Sequence, residues 1–274
     1  MSEAAETIEA PIGYLIDTGV LPVFYQSNVA GERTNFEGER EFRAMRVRNA
    51  RLLPNEFTLD REGFAFVAHE TAVTDFQDDD QLARVYNAEA EALVCAHTGA
   101  SRALVFDHTR RSSSQALREA HNARDPANAA HTDYTDWSAR KRVEDVMGDE
   151  AEALLAKRFA IVNVWRSRAG VIEEWPLALC AWDSVDDARL HTVERRAYNR
   201  VGQTRHASYD ANNDWYYFPQ MTPGEAILIK NYDTATDGRA RYALHTSFDD
   251  PTAPDNAVPR ESLETRVFAF FDED

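Results

Sequence analysis

Hydrophobic and polar residues change rhythm partway along the chain. From Phe42 to Leu53 the run Phe-Arg-Ala-Met-Arg-Val-Arg-Asn-Ala-Arg-Leu-Leu alternates loosely, which predicts a strand whose arginines share a solvated face. Asn55 and Asp60 flank a predicted hairpin into Phe64-Ala-Phe-Val-Ala68. Asp78-Asp79-Asp80 opens a predicted helix through about Ala96, since acidic groups suit a helix N-terminus and Gly99 suits its C-cap. An apolar strand follows at Ala103-Leu-Val-Phe106. Residues 112–130 are polar and alanine-rich with one proline and read as a mobile loop, and Ser138 is expected to cap a second helix to about Lys157.

After Arg158 the texture shifts. Phe159 to Trp165, Pro176 to Trp182, His206 to Tyr209, Trp215 to Phe218, Ala226 to Lys230, Tyr242 to Phe248 and Leu263 to Phe271 are short aromatic or β-branched runs, most of them parted by turn residues. Such spacing predicts antiparallel sheets in a sandwich or barrel, with the preceding helices packed on an outer face. The expected class is α+β in one domain over residues 1–274, with residues 1–12 a flexible tail.

Composition narrows the partners. With 43% hydrophobic and 28% charged residues among 274, the chain is not of the disordered type. Thirty basic against 47 acidic residues give a net charge of −17, which disfavours nucleic acid and anionic membranes. Cys95 and Cys180 are too few for a disulfide scaffold and sit in apolar runs. Met1 to Ala10 show no basic stretch leading into an apolar one, and no apolar run reaches spanning length, so a cytoplasmic protein is expected.

Candidate chemistry centres on His131-Thr-Asp133 and the distant His245. Side chains at i and i+2 of an extended segment point the same way, so His131 and Asp133 present an imidazole and a carboxylate to one point. His245, inside a predicted strand, is a third ligand; His97, His108, His191 and His206 are alternatives by spacing alone. Two imidazoles and one carboxylate match the facial triad of non-haem Fe(II) oxygenases. In Arg260-Glu-Ser-Leu-Glu-Thr-Arg266, the residues Arg260, Ser262, Glu264 and Arg266 share one strand face, opposite Leu263, Val267 and Ala269. That face either binds an anion inside a barrel or is the solvated side of an edge strand. Asn163 and Trp165 share a face on the strand before Arg166 and are candidates for contacting cosubstrate or substrate, although Trp165 beside Ile161 reads first as core. Arg166 points the other way, either toward an anionic substrate or into a surface ion pair. His108 and Arg110 are either a pocket rim or a loop anchor, and Tyr217, among the alternating aromatics 215–218, is either core or a substrate wall.

Several blocks carry a family resemblance: Leu59-Asp-Arg-Glu-Gly-Phe64, Phe106-Asp-His-Thr-Arg110, His131-Thr-Asp133, Ile161-Val-Asn-Val-Trp-Arg166, Trp175-Pro-Leu-Ala-Leu-Cys180, Asp214-Trp-Tyr-Tyr-Phe218, Met221-Thr-Pro-Gly-Glu225, Asn231-Tyr-Asp233 and Arg260 to Arg266. In that order, over about residues 40–271, the chain resembles the CmcJ/AsaB-like group: cephalosporin 7α-methoxylase small-subunit-like proteins, fungal aspergillic-acid hydroxylase/desaturases and gibberellin GA4-desaturase-like proteins. The resemblance implies a double-stranded β-helix (jelly-roll) dioxygenase of secondary metabolism that uses Fe(II), 2-oxoglutarate and O2 to hydroxylate or desaturate a small molecule. It implies His131, Asp133 and His245 as iron ligands and Arg260 with Ser262 as the oxoglutarate site, with Arg266 a second candidate and Asn163 nearby. Two departures stand out. Many oxoglutarate oxygenases carry an arginine soon after the distal histidine where this chain has Asp255, and Ser167-Arg168 replaces the usual proline after Trp165-Arg166. A metal enzyme of cupin type that does not use 2-oxoglutarate, and a non-catalytic partner in a biosynthetic complex, are the alternatives; a homo-oligomer is compatible with each.

Overall fold

The computed structural model describes residues 6–25, 35–54, 56–197 and 200–272. Its strands, in chain order, are β1 (Thr7–Ile16), β2 (Val23–Tyr25), β3 (Asn35–Glu37), β4 (Glu39–Asn49), β5 (Phe64–Ala68), β6 (Arg102–Ser112), β7 (His131–Thr132), β8 (Phe159–Ser167), β9 (Leu177–Cys180), β10 (Leu190–Ala197), β11 (Arg200–Ala207), β12 (Trp215–Tyr217), β13 (Glu225–Asp233), β14 (Leu244–Ser247) and β15 (Glu261–Phe270). Among the described residues they form a ten-stranded sheet, in the order β1-β4-β12-β9-β14-β7-β11-β10-β2-β3, and a five-stranded sheet, β5-β13-β8-β15-β6. Phe64, Trp165, Ile227 and Ile229 from the small sheet meet Leu179 from the large one and Phe218 just past β12, so apolar side chains fill the space between two facing sheets. The architecture is a jelly roll with flanking helices.

One helical stretch behaves as its sequence indicates. The Asp78 carboxylate accepts from the amides of Asp80 and Gln81 at 2.9 and 3.2 Å, capping α1 (Asp79–Gln81), which runs through a π-helical turn (Leu82–Tyr86) into α2 (Asn87–Thr98). Gly99 ends it at φ +74°, a left-handed angle that favours glycine. Tyr86, Ala90 and Val94 pack on Val162, Val164, Leu263, Val267 and Ala269, which face outward from the small sheet. The next pair, α4 (Asp136–Met147) and α5 (Ala151–Leu155), follows α3 (Gln115–His121) in the chain. It packs on Phe159, Ile161, Phe268 and Phe270, the row that continues inward to Asn163 and Arg266. These helices therefore close one end of the sandwich.

Several local expectations change. Thr7–Ile16 is a strand, not a tail: it pairs along its whole length with β4, and Ile12 and Tyr14 are fully buried. A Cβ on Gly13 would lie 2.1 Å from the Asn128 carbonyl oxygen, so only glycine lets β1 approach the segment leading to His131; the Ala130 amide then donates to Gly13 O at 2.8 Å. β4 and β5 belong to different sheets and form no hairpin; Asn55 lies outside the described residues. Residues 112–130 contain α3, capped by Ser114. Helix α4 is capped by Thr135, with Ser138 at its third position completing a reciprocal capping box. Of the β4 arginines, Arg43, Arg46 and Arg48 are exposed, but Arg43 lies on the opposite face from the other two and Arg40 is half-buried, so they do not share one solvated face. Among the described residues no helix is long and apolar enough to cross a membrane.

Candidate metal centre and its surroundings

β7 has two residues, yet it sits between β14 and β11 in the large sheet. His131 lies directly opposite His245 on one side and His206 on the other. Directly paired residues project to the same face of a sheet, so His131 and His245 bring their rings to 4.4 Å between centroids. Asp133 extends the same segment. Its amide donates to Asn231 Oδ1 at 3.0 Å, while the Thr132 hydroxyl donates to Asn231 O at 2.9 Å, tying the large sheet to β13 of the small one. His131, Asp133 and His245 each offer a ligand atom within 4.8 Å of the others, and all three are buried.

Backbone carbonyls set the ring orientation. His131 Nδ1 lies 2.8 Å from Ala129 O and His245 Nδ1 3.3 Å from Ala243 O. A carbonyl only accepts, so each Nδ1 carries the proton and each Nε2 presents a lone pair. His131 Nε2 stands 3.4 Å from Asp133 Oδ1, beyond ordinary hydrogen-bond length, a spacing that suits two donors around a shared cation. The other oxygen, Asp133 Oδ2, accepts from Asn163 Nδ2 and Arg266 Nε, both at 3.0 Å. Burial opposes ionisation of Asp133, but Arg266 and the two imidazoles outweigh it and hold the carboxyl well below the usual range. Burial, with His131 adding, pushes the His245 imidazole down to about 4, so the ring is neutral at physiological pH. Two imidazoles and one carboxylate on one side of a point are the donor set of a facial triad.

The two strand arginines differ in their company. All of Arg260, Ser262, Glu264 and Arg266 are buried, so this face of β15 is not solvated. Arg266 is saturated: besides Asp133 it donates to Asp107 Oδ2 at 2.7 Å, Thr109 Oγ1 at 2.9 Å and the Glu264 carboxylate. Burial opposes its charge, yet those carboxylates raise its pKa well above the ordinary value. Arg260 has only neutral partners, the Ser262 hydroxyl at 3.1 and 3.2 Å and Trp175 O at 2.5 Å, and its guanidinium stacks 5.1 Å over the Trp165 ring. Burial, then nearby Arg111, pulls it down to about 9. Trp175 aims its carbonyl from φ +48°, a strained angle for a bulky residue. Glu264 and Glu174 act on it only from a distance, and a buried guanidinium that among the described residues bonds no carboxylate has the chemistry of a site for one.

Other candidates land elsewhere. Register places Asn163 opposite Arg266 and Trp165 opposite Glu264, both inward, as their alternation indicates. Trp165 is core beneath Arg260 rather than a pocket wall. Arg166, opposite Leu263, faces outward; it donates to the carbonyls of His69 (3.0 Å) and Pro223 and stacks on Phe76 and Tyr86, so it is neither pocket nor surface. His108, opposite Thr265, also faces outward, held by Thr265 Oγ1 and Asn87 Oδ1. Arg110 bonds Phe76 O and Asp79 on that outer side, so both are anchors for the helical stretch, not a rim. Tyr217 packs against Phe248 on the sheet face away from His245 and is core.

Sequence reasoning passed over Asn231, the carbonyls of Ala129 and Ala243, and the basic walls of two clefts. One cleft of about 280 Å³ is bounded by Asp133 and Arg266 with Arg124, Arg142, Arg195 and Arg200. A second, about 150 Å³, reaches His131 and His206 past Phe24, Phe36, Arg40 and Arg111. Arg124, Arg195 and Thr204 line both, so the clefts adjoin beside the triad. His206, buried and stacked 5.4 Å from His131, is not in the ligand set.

A jelly roll carrying this triad defines a class of metal-dependent oxygenases. Residues 12–270 match the family model described as oxidoreductase/YMDC permease-like domain. The chain is 34% identical over 255 residues to the hydroxylase/desaturase CTB9 of Cercospora beticola, covering 85% of this chain and 78% of that protein. It is 30% identical over 234 residues to the Fe(II)/2-oxoglutarate-dependent dioxygenase nvfI of Aspergillus novofumigatus, 82% of each. The solved iron and alpha-ketoglutarate-dependent endoperoxidase NvfI superposes with a TM-score of 0.84 at 25% identity, covering 97% of this chain and 98% of that one. The chain belongs to this family of hydroxylase/desaturases, the Fe(II)/2-oxoglutarate-dependent dioxygenases, and its cofactors are Fe(II), 2-oxoglutarate and O2.

Proposed function

We propose that His131 Nε2, His245 Nε2 and Asp133 Oδ1 hold the iron, and that Arg260 with Ser262 holds the distal carboxylate of 2-oxoglutarate. The observation that carries the first assignment is the pair of ring nitrogens left free because both Nδ1 atoms are bound to backbone carbonyls. Arg260, not Arg266, takes the cosubstrate because Arg266 already serves three carboxylates. When bound, the metal and cosubstrate supply an oxidant for an unactivated C–H bond. The chain supplies position: Asn163 and Arg266 clamp Asp133 so that one oxygen faces the metal, and Asn231 fixes the backbone that carries it. The buried inner face of β8 and β15 keeps bulk water from the reacting side.

The substrate in this reading is a small secondary metabolite, and the outcome is hydroxylation or desaturation, which share the first hydrogen removal. Cys95 and Cys180 remain free thiols, consistent with work in the cytoplasm. Anaerobic titration of the Fe(II) protein with 2-oxoglutarate tests the assignment. A weak visible charge-transfer band is expected in the wild type and is lost in His131→Ala; a band that persists in that variant refutes it.

A further inference from the structure

The cleft over His131 is basic in a strongly acidic chain. The net charge is −17, yet Arg40, Arg111, Arg124 and Arg195 wall this space, and among the described residues that line it Asp125 is the single acidic one. Arg111 donates to the Asp125 backbone carbonyl at 2.9 Å. Among the described residues the half-buried Arg124 guanidinium has no hydrogen-bond or ion-pair partner. Burial lowers its pKa to about 10, and Arg111, Arg195 and Arg266 push the same way, with Asp107 opposing them only in small part. Like charges gathered around an unpaired guanidinium are unfavourable unless an anion joins them. The 2-oxoglutarate carboxylate has its own place at Arg260, so this cluster serves another molecule.

Flat faces lead from that cluster to the triad. Arg40 lies 4.0 Å over the Phe36 ring, Phe36 is 4.5 Å from Phe24, Phe24 is 5.6 Å from His206, and His206 is 5.4 Å from His131. A planar unsaturated body fits such a wall by stacking. Resting on the metal centre assigned above, we propose that the oxidised substrate is a planar small molecule bearing a carboxylate, gripped by Arg124 and lying along Phe24 and Phe36. The anchor fixes which C–H bond is presented beside His131.

The test uses full-length protein loaded anaerobically with Mn(II) and N-oxalylglycine, so that the cofactor positions are filled and turnover is blocked. trans-Cinnamate and trans-cinnamamide, alike in shape and different in charge, are then titrated by calorimetry. Cinnamate is expected to bind at least about tenfold more tightly than the amide. Arg124→Gln should bring the two within about threefold, with Arg124→Lys intermediate and the melting temperature of neither variant lowered, because among the described residues the Arg124 side chain has no hydrogen-bond or ion-pair partner to lose. Equal affinities in the wild type, no binding by either probe, a preference that survives Arg124→Gln, or competition between cinnamate and N-oxalylglycine would each overturn the proposal. The same titration into metal-free protein reads the Arg124 subsite alone. Failure of N-oxalylglycine to bind therefore counts against the metal centre and not against this subsite.

Discussion

Replacing Arg260 with methionine separates a guanidinium kept for binding from one kept for folding. Burial takes Arg260 from 12.5 to about 9, a fall worth about 5 kcal/mol in favour of the neutral side chain. Because the folded value is depressed, the penalty is present at every pH below it and is full at pH 7. The Ser262 and Trp175 bonds recover part of it; losing them, and leaving Trp175 O unsatisfied, costs about 1–3 kcal/mol. Arg260→Met should therefore stabilise the metal-free protein by about 2 kcal/mol, raising its melting temperature by about 5 °C. The same change removes a charge-assisted fork and should weaken 2-oxoglutarate by at least about 30-fold. Thermal denaturation without ligands and the anaerobic charge-transfer titration measure the two effects. A variant that melts lower than wild type while binding 2-oxoglutarate normally would show Arg260 to be a structural residue.

Three further outcomes follow from named contacts. Asn163→Ala removes one of two bonds to Asp133 Oδ2 and should weaken Fe(II) about 10- to 100-fold in a folded protein, read by anaerobic metal titration; unchanged affinity would remove Asn163 from the centre. Gly13→Ala drives a Cβ into the Asn128 carbonyl and should cost about 1–3 kcal/mol in urea denaturation. At Asp233, burial opposes ionisation, but Arg158 (2.8 and 3.1 Å) and Lys230 (3.0 Å) outweigh it and depress the carboxyl below 3.8. Its stabilisation is thus full at pH 7 and lost as pH falls below 3.8 through the lower folded value. Asp233→Asn should cost about 3–5 kcal/mol at pH 7 and flatten the acid limb of stability; an unaltered acid limb would contradict the assignment.

What was legible in the sequence followed from strict alternation. Which residues share a face of β8 and of β15 read correctly because neither strand breaks its period of two, but that the Arg260, Ser262 and Arg266 face turns inward needed the facing sheet. The i, i+2 spacing of His131 and Asp133 was legible too: although Asp133 lies just past β7, both side chains offer an atom to one point, within 4.8 Å of each other and of His245. β1 was hidden by Pro11 and Gly13, which ordinarily mark breaks: Pro11 is tolerated because β1 lies at the sheet edge, and Gly13 is needed where the Asn128 carbonyl crowds the strand. β10 was hidden by Glu194, Arg195 and Arg196, whose charge mimics a loop. His108 and Arg110 needed register: only pairing with Thr265 and Leu263 shows that they face the helices. Asn231 sits at a bulge between Lys230 and Tyr232, where alternation stops reporting direction. Arg124 and Arg195 come from separate elements, and no spacing announces that they meet.

The most direct measurement is anomalous diffraction from a crystal grown anaerobically with Mn(II) and 2-oxoglutarate. The expected result is a single strong peak within about 2.0–2.3 Å of His131 Nε2, His245 Nε2 and Asp133 Oδ1, with the cosubstrate carboxylate on Arg260. A peak coordinated by other residues, or by only one of these three, would contradict the metal centre on which the account rests.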